Sequence, residues 1–308
     1  MTYQEMAFES GGVRCSGWHF PGTGDTFDTG SGRPVVVMGH GFAGTKDSGL
    51  RPFAESFQAA GLDVLAFDYR GFGASEGKPR QTISIERQIE DFEAAIAGAR
   101  ALAGVDPNRI VLWGSSLSGG HVLRVAAGRA DIAAVIAMTP LTNSLATGRL
   151  VISQYGAWTA LRSTGNGLRS RFAGARGKSA VMMPVVSRPG EHGALALEGA
   201  YESYLGMAGP TWRNEIDASI GLELSRISTA KYAKALRIPL LVQIADFDRF
   251  VPADAVARTA VQGRGIVHHY PCDHFDVWPG HAWFDRTAAD QVTFLRRSLI
   301  PDRALAGR

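Results

Sequence analysis

Short apolar runs separated by longer stretches of helical period organise most of this chain. Val35-Val36-Val37-Met38, Val64-Leu65-Ala66-Phe67, Ile110-Val111-Leu112-Trp113 and Ala133-Ala134-Val135-Ile136 are apolar on both faces, which predicts strands covered from both sides. Residues 48–60, 82–102 and 117–128 have the lengths and periodicities of helices. Strands alternating with helices predict right-handed βαβ units and a mostly parallel sheet flanked by helices. Residues 3–10 and 13–20, parted by Gly11-Gly12, predict a leading hairpin lying antiparallel at one edge. The alternation resumes at Pro239-Leu240-Leu241-Val242-Gln243-Ile244. It then passes a helix begun near Pro252, a strand over 266–270 and a last helix around 283–298.

The segment between breaks the pattern. Residues 141–232 show no buried strand and carry Gly, Ser and Arg clusters with the aromatics Tyr155, Trp158, Phe172, Tyr201, Tyr204 and Trp212. This predicts a mainly helical cap inserted into a core of residues 1–140 and 233–308, with Tyr155, Trp158 and Trp212 as candidate walls of a substrate pocket. A length of 308 residues suits two domains or one large α/β domain with such an insertion. Thr23 to Gly32, rich in Gly, Thr and Asp, reads as a surface loop.

Composition narrows the class. With 45% hydrophobic and 20% charged residues and a mean hydropathy of −0.03, disorder, collagen-like repeats and coiled coils are excluded. No window approaches the ~18 uncharged apolar residues that a membrane span needs, and Met1-Thr2-Tyr3-Gln4-Glu5 lacks the basic and apolar regions of a signal peptide. Two cysteines, Cys15 and Cys272, are too few for a disulfide framework, so a cytoplasmic location is expected.

The net charge of +3 is unevenly spread. Residues 143–237 carry a net +6 and the rest −3, and no acidic residue falls between Asp131 and Glu191. Either this is a solvated face or it attracts an anionic acyl substrate. No nucleic-acid module accompanies it, so nucleic-acid binding is not expected. Oligomeric state stays open, a homodimer included.

The chemistry begins at Ile110-Val111-Leu112-Trp113-Gly114-Ser115-Ser116-Leu117-Ser118-Gly119-Gly120, where a buried strand runs into a turn of small residues and then a helix. Such a turn holds a serine in a strained backbone with its hydroxyl exposed, and alignment to G-x-S-x-G places that serine at Ser116. Ser118 stands where the second glycine is usual. A serine nucleophile needs a base and an orienting carboxylate. Candidates follow the next two strands, in Asp246-Phe247-Asp248-Arg249-Phe250-Val251-Pro252 and Cys272-Asp273-His274-Phe275-Asp276-Val277-Trp278. Loops at the carboxyl ends of parallel strands are where such sheets place their sites. His40-Gly41-Phe42-Ala43-Gly44 follows an earlier strand and can present the Phe42 amide, beside that of Leu117, to a developing oxyanion.

These motifs, in this order, resemble the α/β-hydrolase superfamily. The likeness covers residues 30–140 and 238–300 through H-G-F-A-G at 40–44, F-D-Y-R-G-F-G-A-S-E-G at 67–77, G-S-S-L-S-G-G-H at 114–121, D-R-F-V-P at 248–252 and H-F-D-V-W at 274–278. It is strongest to esterase, acetyl-xylan-esterase-like and dienelactone-hydrolase-like members. The resemblance implies an α/β-hydrolase fold, Ser116 as nucleophile, Asp248 as triad acid, His274 as base, and Phe42 with Leu117 as oxyanion donors. The G-S-S-x-S-G-G-H turn is also similar to enzymes that transfer acyl groups to acceptors other than water.

Competing residues are weighed by position. His281 rivals His274 but lies farther from the strand end, and Asp246 rivals Asp248 but reads as a partner for loop amides. His40 and His121 read as structural, and Asp68 with Arg70 as a brace for the loop 70–77. Asp273, His274 and Asp276 cluster without a second group at ligand spacing, so no metal is expected. Neither a dinucleotide loop nor a Walker sequence occurs, so no cofactor is expected. The functions in view are hydrolysis of an ester, thioester or lactone, acyl transfer to another acceptor, peptidase activity, and a binding protein that retains the fold.

Overall fold

In the computed structural model, residues 3–176 and 179–300 are described, except for the side chains of 157–160, 162–163 and 174–175. The hairpin β1 (Gln4–Ser10) and β2 (Val13–Phe20) leads into β3 (Arg33–Gly39), α1 (Leu50–Ala60), β4 (Asp63–Phe67), α2 (Ile85–Arg100), β5 (Val105–Ser115), α3 (Leu117–Ala126) and β6 (Ile132–Met138). An interlude follows: α4 (Ser144–Tyr155), α5 (Ala157–Ala175), β7 (Met182–Met183), α6 (Ala200–Met207), β8 (Ile216–Asp217), α7 (Ile220–Leu224) and α8 (Ala230–Ala235). The chain then closes with β9 (Leu240–Ala245), α9 (Ala253–Gln262), β10 (Ile266–Tyr270) and α10 (Phe284–Leu299).

One eight-stranded sheet runs in the order β1-β2-β4-β3-β5-β6-β9-β10. Only the leading hairpin is antiparallel, β1 to β2 and β2 to β4. From β4 across to β10 every pairing is parallel. Val35 to Met38, Val64 to Phe67 and Ile110 to Trp113 are fully buried, because helices cover both faces of these central strands and leave their residues no wet side. Local signals set the flanking helices. Ser84 caps α2 by accepting the Arg87 amide, Glu86 and Arg100 complement its dipole, and Gly61 in left-handed backbone ends α1.

The interlude departs from its hydrophobic pattern in one respect. Met182–Met183 pairs antiparallel with Ile216–Asp217, a ladder too short to print a strand signature. The expected boundary at 232/233 falls inside α8, which packs on α3 and α9 of the sheet layers. α4 buries none of its residues and rests on α5. Among the described residues, no helix is long and apolar enough to cross a membrane.

Parallel strands point their carboxyl ends the same way. The loops after β3, β4, β5, β9 and β10 therefore gather on one side of the sheet, and the candidate site residues lie in or beside them.

Candidate active site

Ser116 sits between β5 and α3 at φ 51° and ψ −116°, a conformation that a non-glycine residue holds only when its surroundings enforce it. Its N–H donates to Met138 O at 2.9 Å, and its carbonyl accepts from Leu141 N at 2.8 Å. The turn closes because its neighbours are small. A Cβ on Gly114 would come within 2.3 Å of Ser118 O, and one on Gly120 within 2.4 Å of Leu141 O. Ser118, in the place of the usual glycine, stitches the turn together. Its Oγ donates to Gly39 O at 2.7 Å and accepts the Ser115 amide at 2.9 Å, joining the ends of β3 and β5.

The loop after β3 lies against this turn. Gly41 is so close that an added Cβ would stand 3.3 Å from Ser116 Cβ. Leu117 is the first residue of α3, so its amide has no intrahelical acceptor. Among the described residues, neither the Phe42 nor the Leu117 amide donates to another backbone group. Phe42 shares the cleft with Ser116, and Leu117 follows Ser116 directly at the start of α3.

Asp68, at the end of β4, anchors the same loop. Its fully buried carboxylate accepts the Lys46 amide and the Lys46 Nζ, each at 2.6 Å, and the Ala74 amide at 3.0 Å. The Lys46 ammonium, 3% exposed, is a buried partner that a lysine in a turn does not announce in sequence. Asp68 braces the 70–77 loop as expected, but Arg70 turns away to Asp91 and Glu90 of α2.

The loops after β9 and β10 carry the acid and the base candidates. Asp248 Oδ1 accepts the amides of Phe250 at 2.8 Å and Val251 at 2.7 Å, leaving Oδ2 to accept from His274 Nδ1 at 2.6 Å. Asp273 ties the two loops together, accepting the Arg249 and His274 amides at 3.0 and 2.8 Å and pairing with the Arg249 guanidinium. The His274 ring is buried between Phe250 and Phe275, at centroid distances of 5.7 and 5.3 Å. Burial alone would lower its pKa, but the charge and hydrogen bond of Asp248, with Asp273 behind, raise it above the usual imidazole value. Nδ1 is occupied, so Nε2 is the ring nitrogen free for chemistry.

The competitors are placed elsewhere. Asp246 is exposed and binds His269 Nδ1 at 2.6 Å, not the loop amides expected of it. His281 is half-buried, 3.7 Å from Asp276. His40 is buried edge-on to Tyr69 and donates to its neighbour Gly41 O, with burial lowering its pKa. His121 binds Gln88 Oε1 at 2.9 Å, and burial pushes it down to about 3. Among the described residues, no three His, Cys, Asp or Glu side chains gather as metal ligands.

A narrow cleft of about 50 Å³ opens beside Ser116 and His274, walled largely by Phe42, Leu195, Tyr204, Met207, Phe275 and Trp278. The pocket expected from the cap aromatics is built differently. Trp212 lies outside the cleft wall, its ring tilted against Tyr204 and its Nε1–H donated to Ala43 O at 3.1 Å. Tyr155 also stands behind the wall, its hydroxyl accepting the Ala196 amide at 3.1 Å. Trp158 lies outside the described side chains. Aromatic content marks the right segment but not which rings face inward. Phe250 and Phe275, which flank His274, could have been found from their adjacency to Asp248 and His274. Among the described residues, no arginine or lysine lines the cleft, while Arg169, Arg171 and Arg176 are exposed.

Residues 34–278 match the family described as the α/β hydrolase fold. The quorum-quenching protein AidA of Acinetobacter baumannii is 35% identical over 300 residues, covering 96% of this chain and 95% of its own. The thiohydrolase aneE of Aspergillus aculeatus is 33% identical over 157 residues, 51% of this chain and 49% of its own. GrgF of Penicillium, named a polyketide transferase, is 35% identical over 133 residues, 43% of each chain. The crystal structure of GrgF, there called an α/β hydrolase, superposes with a TM-score of 0.78 over 97% of this chain and 99% of its own at 22% identity, a likeness of fold.

Proposed function

The chain belongs to the α/β hydrolase fold family, and from that premise we propose that it is a serine hydrolase cleaving a carboxylic ester, thioester or lactone through an acyl-enzyme at Ser116. The observation that carries this reading is the shared cleft of a strained Ser116 and a His274 whose Nδ1 is held by Asp248. His274 Nε2 takes the Ser116 proton as Oγ attacks the acyl carbon, then returns it to the departing alcohol, thiol or ring oxygen. The charge on the former carbonyl oxygen falls to the Phe42 and Leu117 amides. Water repeats the sequence in reverse order to release the acid.

The apolar walls support an acyl chain without charge. The AidA designation adds a biological sense, because quorum quenching means removing a signal, and what this site can remove is an acyl bond. The named thiohydrolase points to thioesters by the same chemistry. A second reading, transfer of the acyl group to an alcohol or amine, draws on the polyketide-transferase relative and shares every step up to the acyl-enzyme. Cys15 and Cys272 are both free and buried, which suits a reducing cytoplasm.

Initial rates with p-nitrophenyl esters of graded chain length, with and without added alcohols or amines, test the reading. Burst release of nitrophenol and free acid as the product support hydrolysis, and acylated acceptor in place of acid supports transfer. No turnover of esters, thioesters or lactones would overturn both.

A further inference from the structure

Four hydrogen bonds tie the loop after β3 to the segment 204–212. Tyr204 donates its hydroxyl to Phe42 O at 2.6 Å, and Trp212 donates Nε1–H to Ala43 O at 3.1 Å. The Thr211 amide reaches Asp47 Oδ2 at 3.0 Å, and the Gly209 amide reaches Ser48 Oγ at 3.4 Å. The two side-chain donors act on consecutive carbonyls, the pair that flanks Ala43. Ala43 sits at φ 51°, in the left-handed region that an alanine does not choose by itself. Such a backbone persists only where its surroundings over-determine it, and here the two aromatic donors supply that constraint.

The donors are themselves well held. The Tyr204 and Trp212 rings pack at 5.1 Å between centroids, and Tyr204 meets the edge of Phe275, the neighbour of His274. Tyr204 is 3% exposed, and burial pushes its phenol well up, so it stays a donor throughout the working pH range. Nothing in the mechanism above calls for a phenol or an indole. Yet both are spent on the carbonyls of the loop that carries the Phe42 amide.

We propose that Tyr204 and Trp212 are positioning residues for acyl transfer to Ser116, fixing the Phe42 amide at the oxyanion through the Phe42 and Ala43 carbonyls, so that a segment outside the sheet layers sets transition-state stabilisation. This rests on the serine-hydrolase reading. The oxyanion exists only in the transition state and the tetrahedral intermediate, so a loosened loop lowers turnover and leaves ground-state binding alone.

Tyr204→Phe and Trp212→Phe each keep an aromatic ring and delete one donor. With p-nitrophenyl butyrate, each is expected to lower kcat roughly tenfold while KM stays within about twofold and the pH midpoint holds, as for a misplaced rather than a missing oxyanion donor. Affinity for a trifluoromethyl ketone, which binds as a hemiketal with a true oxyanion, is expected to fall by the same factor as kcat. A residue that merely stabilises the fold would not link these two quantities. The double variant is expected to lose less than the product of the single losses, because both donors hold one loop. Unchanged kcat and ketone affinity in both variants would overturn the proposal, as would a rise in KM alone, which would make Tyr204 only a wall. The wild type is first labelled with a fluorophosphonate. Absence of an adduct on Ser116 would overturn the serine-hydrolase reading itself and this proposal with it, whereas an adduct with unperturbed variants would overturn the positioning role alone.

Discussion

Asp248 divides its carboxylate between two tasks, one oxygen held by the Phe250 and Val251 amides and the other 2.6 Å from His274 Nδ1. The amides fix the carboxylate, and the carboxylate fixes the imidazole tautomer. Asp248→Asn keeps the shape but can present an amide to Nδ1, so kcat is expected to fall on the order of 10⁴-fold. Asp246→Asn touches only the surface pair with His269 and is expected to stay near wild type. Steady-state rates of the two variants on one ester check the assignment, and the reverse ranking would move the acid to Asp246.

The pH profile follows from the direction of the His274 shift. Its pKa is raised by Asp248 against the effect of burial, and in the proposed role of base it acts only when neutral. Activity is therefore expected to rise with pH through a midpoint above the reference value of about 6.5. The same shift adds to stability below that reference, and the contribution is lost as pH climbs through the folded-state pKa. Rates measured across the pH range at saturating substrate check this, and a midpoint below the reference would contradict it.

Lys46 and Asp68 form a buried ion pair at 2.6 Å beneath the loop that carries Phe42. Asp68→Asn leaves the ammonium uncompensated, at an expected cost of about 3–5 kcal/mol in unfolding free energy. Adding Lys46→Met removes the stranded charge, and the double variant is expected to recover part of the loss. Urea unfolding of the three proteins measures this, and a loss below about 1 kcal/mol in Asp68→Asn would show that water reaches the pair.

Among the described residues, cleft walls free of arginine and lysine bear on substrate charge. Arg169, Arg171 and Arg176 are exposed, and charges in solvent are screened over a Debye length of roughly 8 Å at physiological salt. Matched neutral and carboxylated esters are therefore expected to show equal dependence of kcat/KM on ionic strength. A steeper fall for the carboxylated ester would give the basic stretch a part in substrate choice.

Much of this arrangement is legible in the amino-acid sequence alone. Strands such as Val35 to Met38 and Ile110 to Trp113 print themselves plainly, because burial on both faces demands unbroken apolar runs. Gly114 and Ser116 are legible because only small residues close a turn that tight. What stays hidden depends on direction rather than composition. An aromatic between β6 and β9 reads the same whether it lines the cleft, as Tyr204 does, or stands outside its wall, as Trp212 does. Nothing in the sequence around Lys46, in the loop after β3, points to its partner Asp68, which the fold brings beneath it from the end of β4. The short ladder of Met183 with Ile216 has too few residues to show a period at all.

The central claim is a covalent acyl bond at Ser116, and peptide mapping by mass spectrometry after fluorophosphonate labelling tests it most directly. The expected result is a single adduct on Ser116, none on Ser115 or Ser118, and a Ser116→Ala variant that takes no label and loses on the order of 10⁴ to 10⁶ in turnover. An adduct on another residue, or turnover retained in Ser116→Ala, would contradict it.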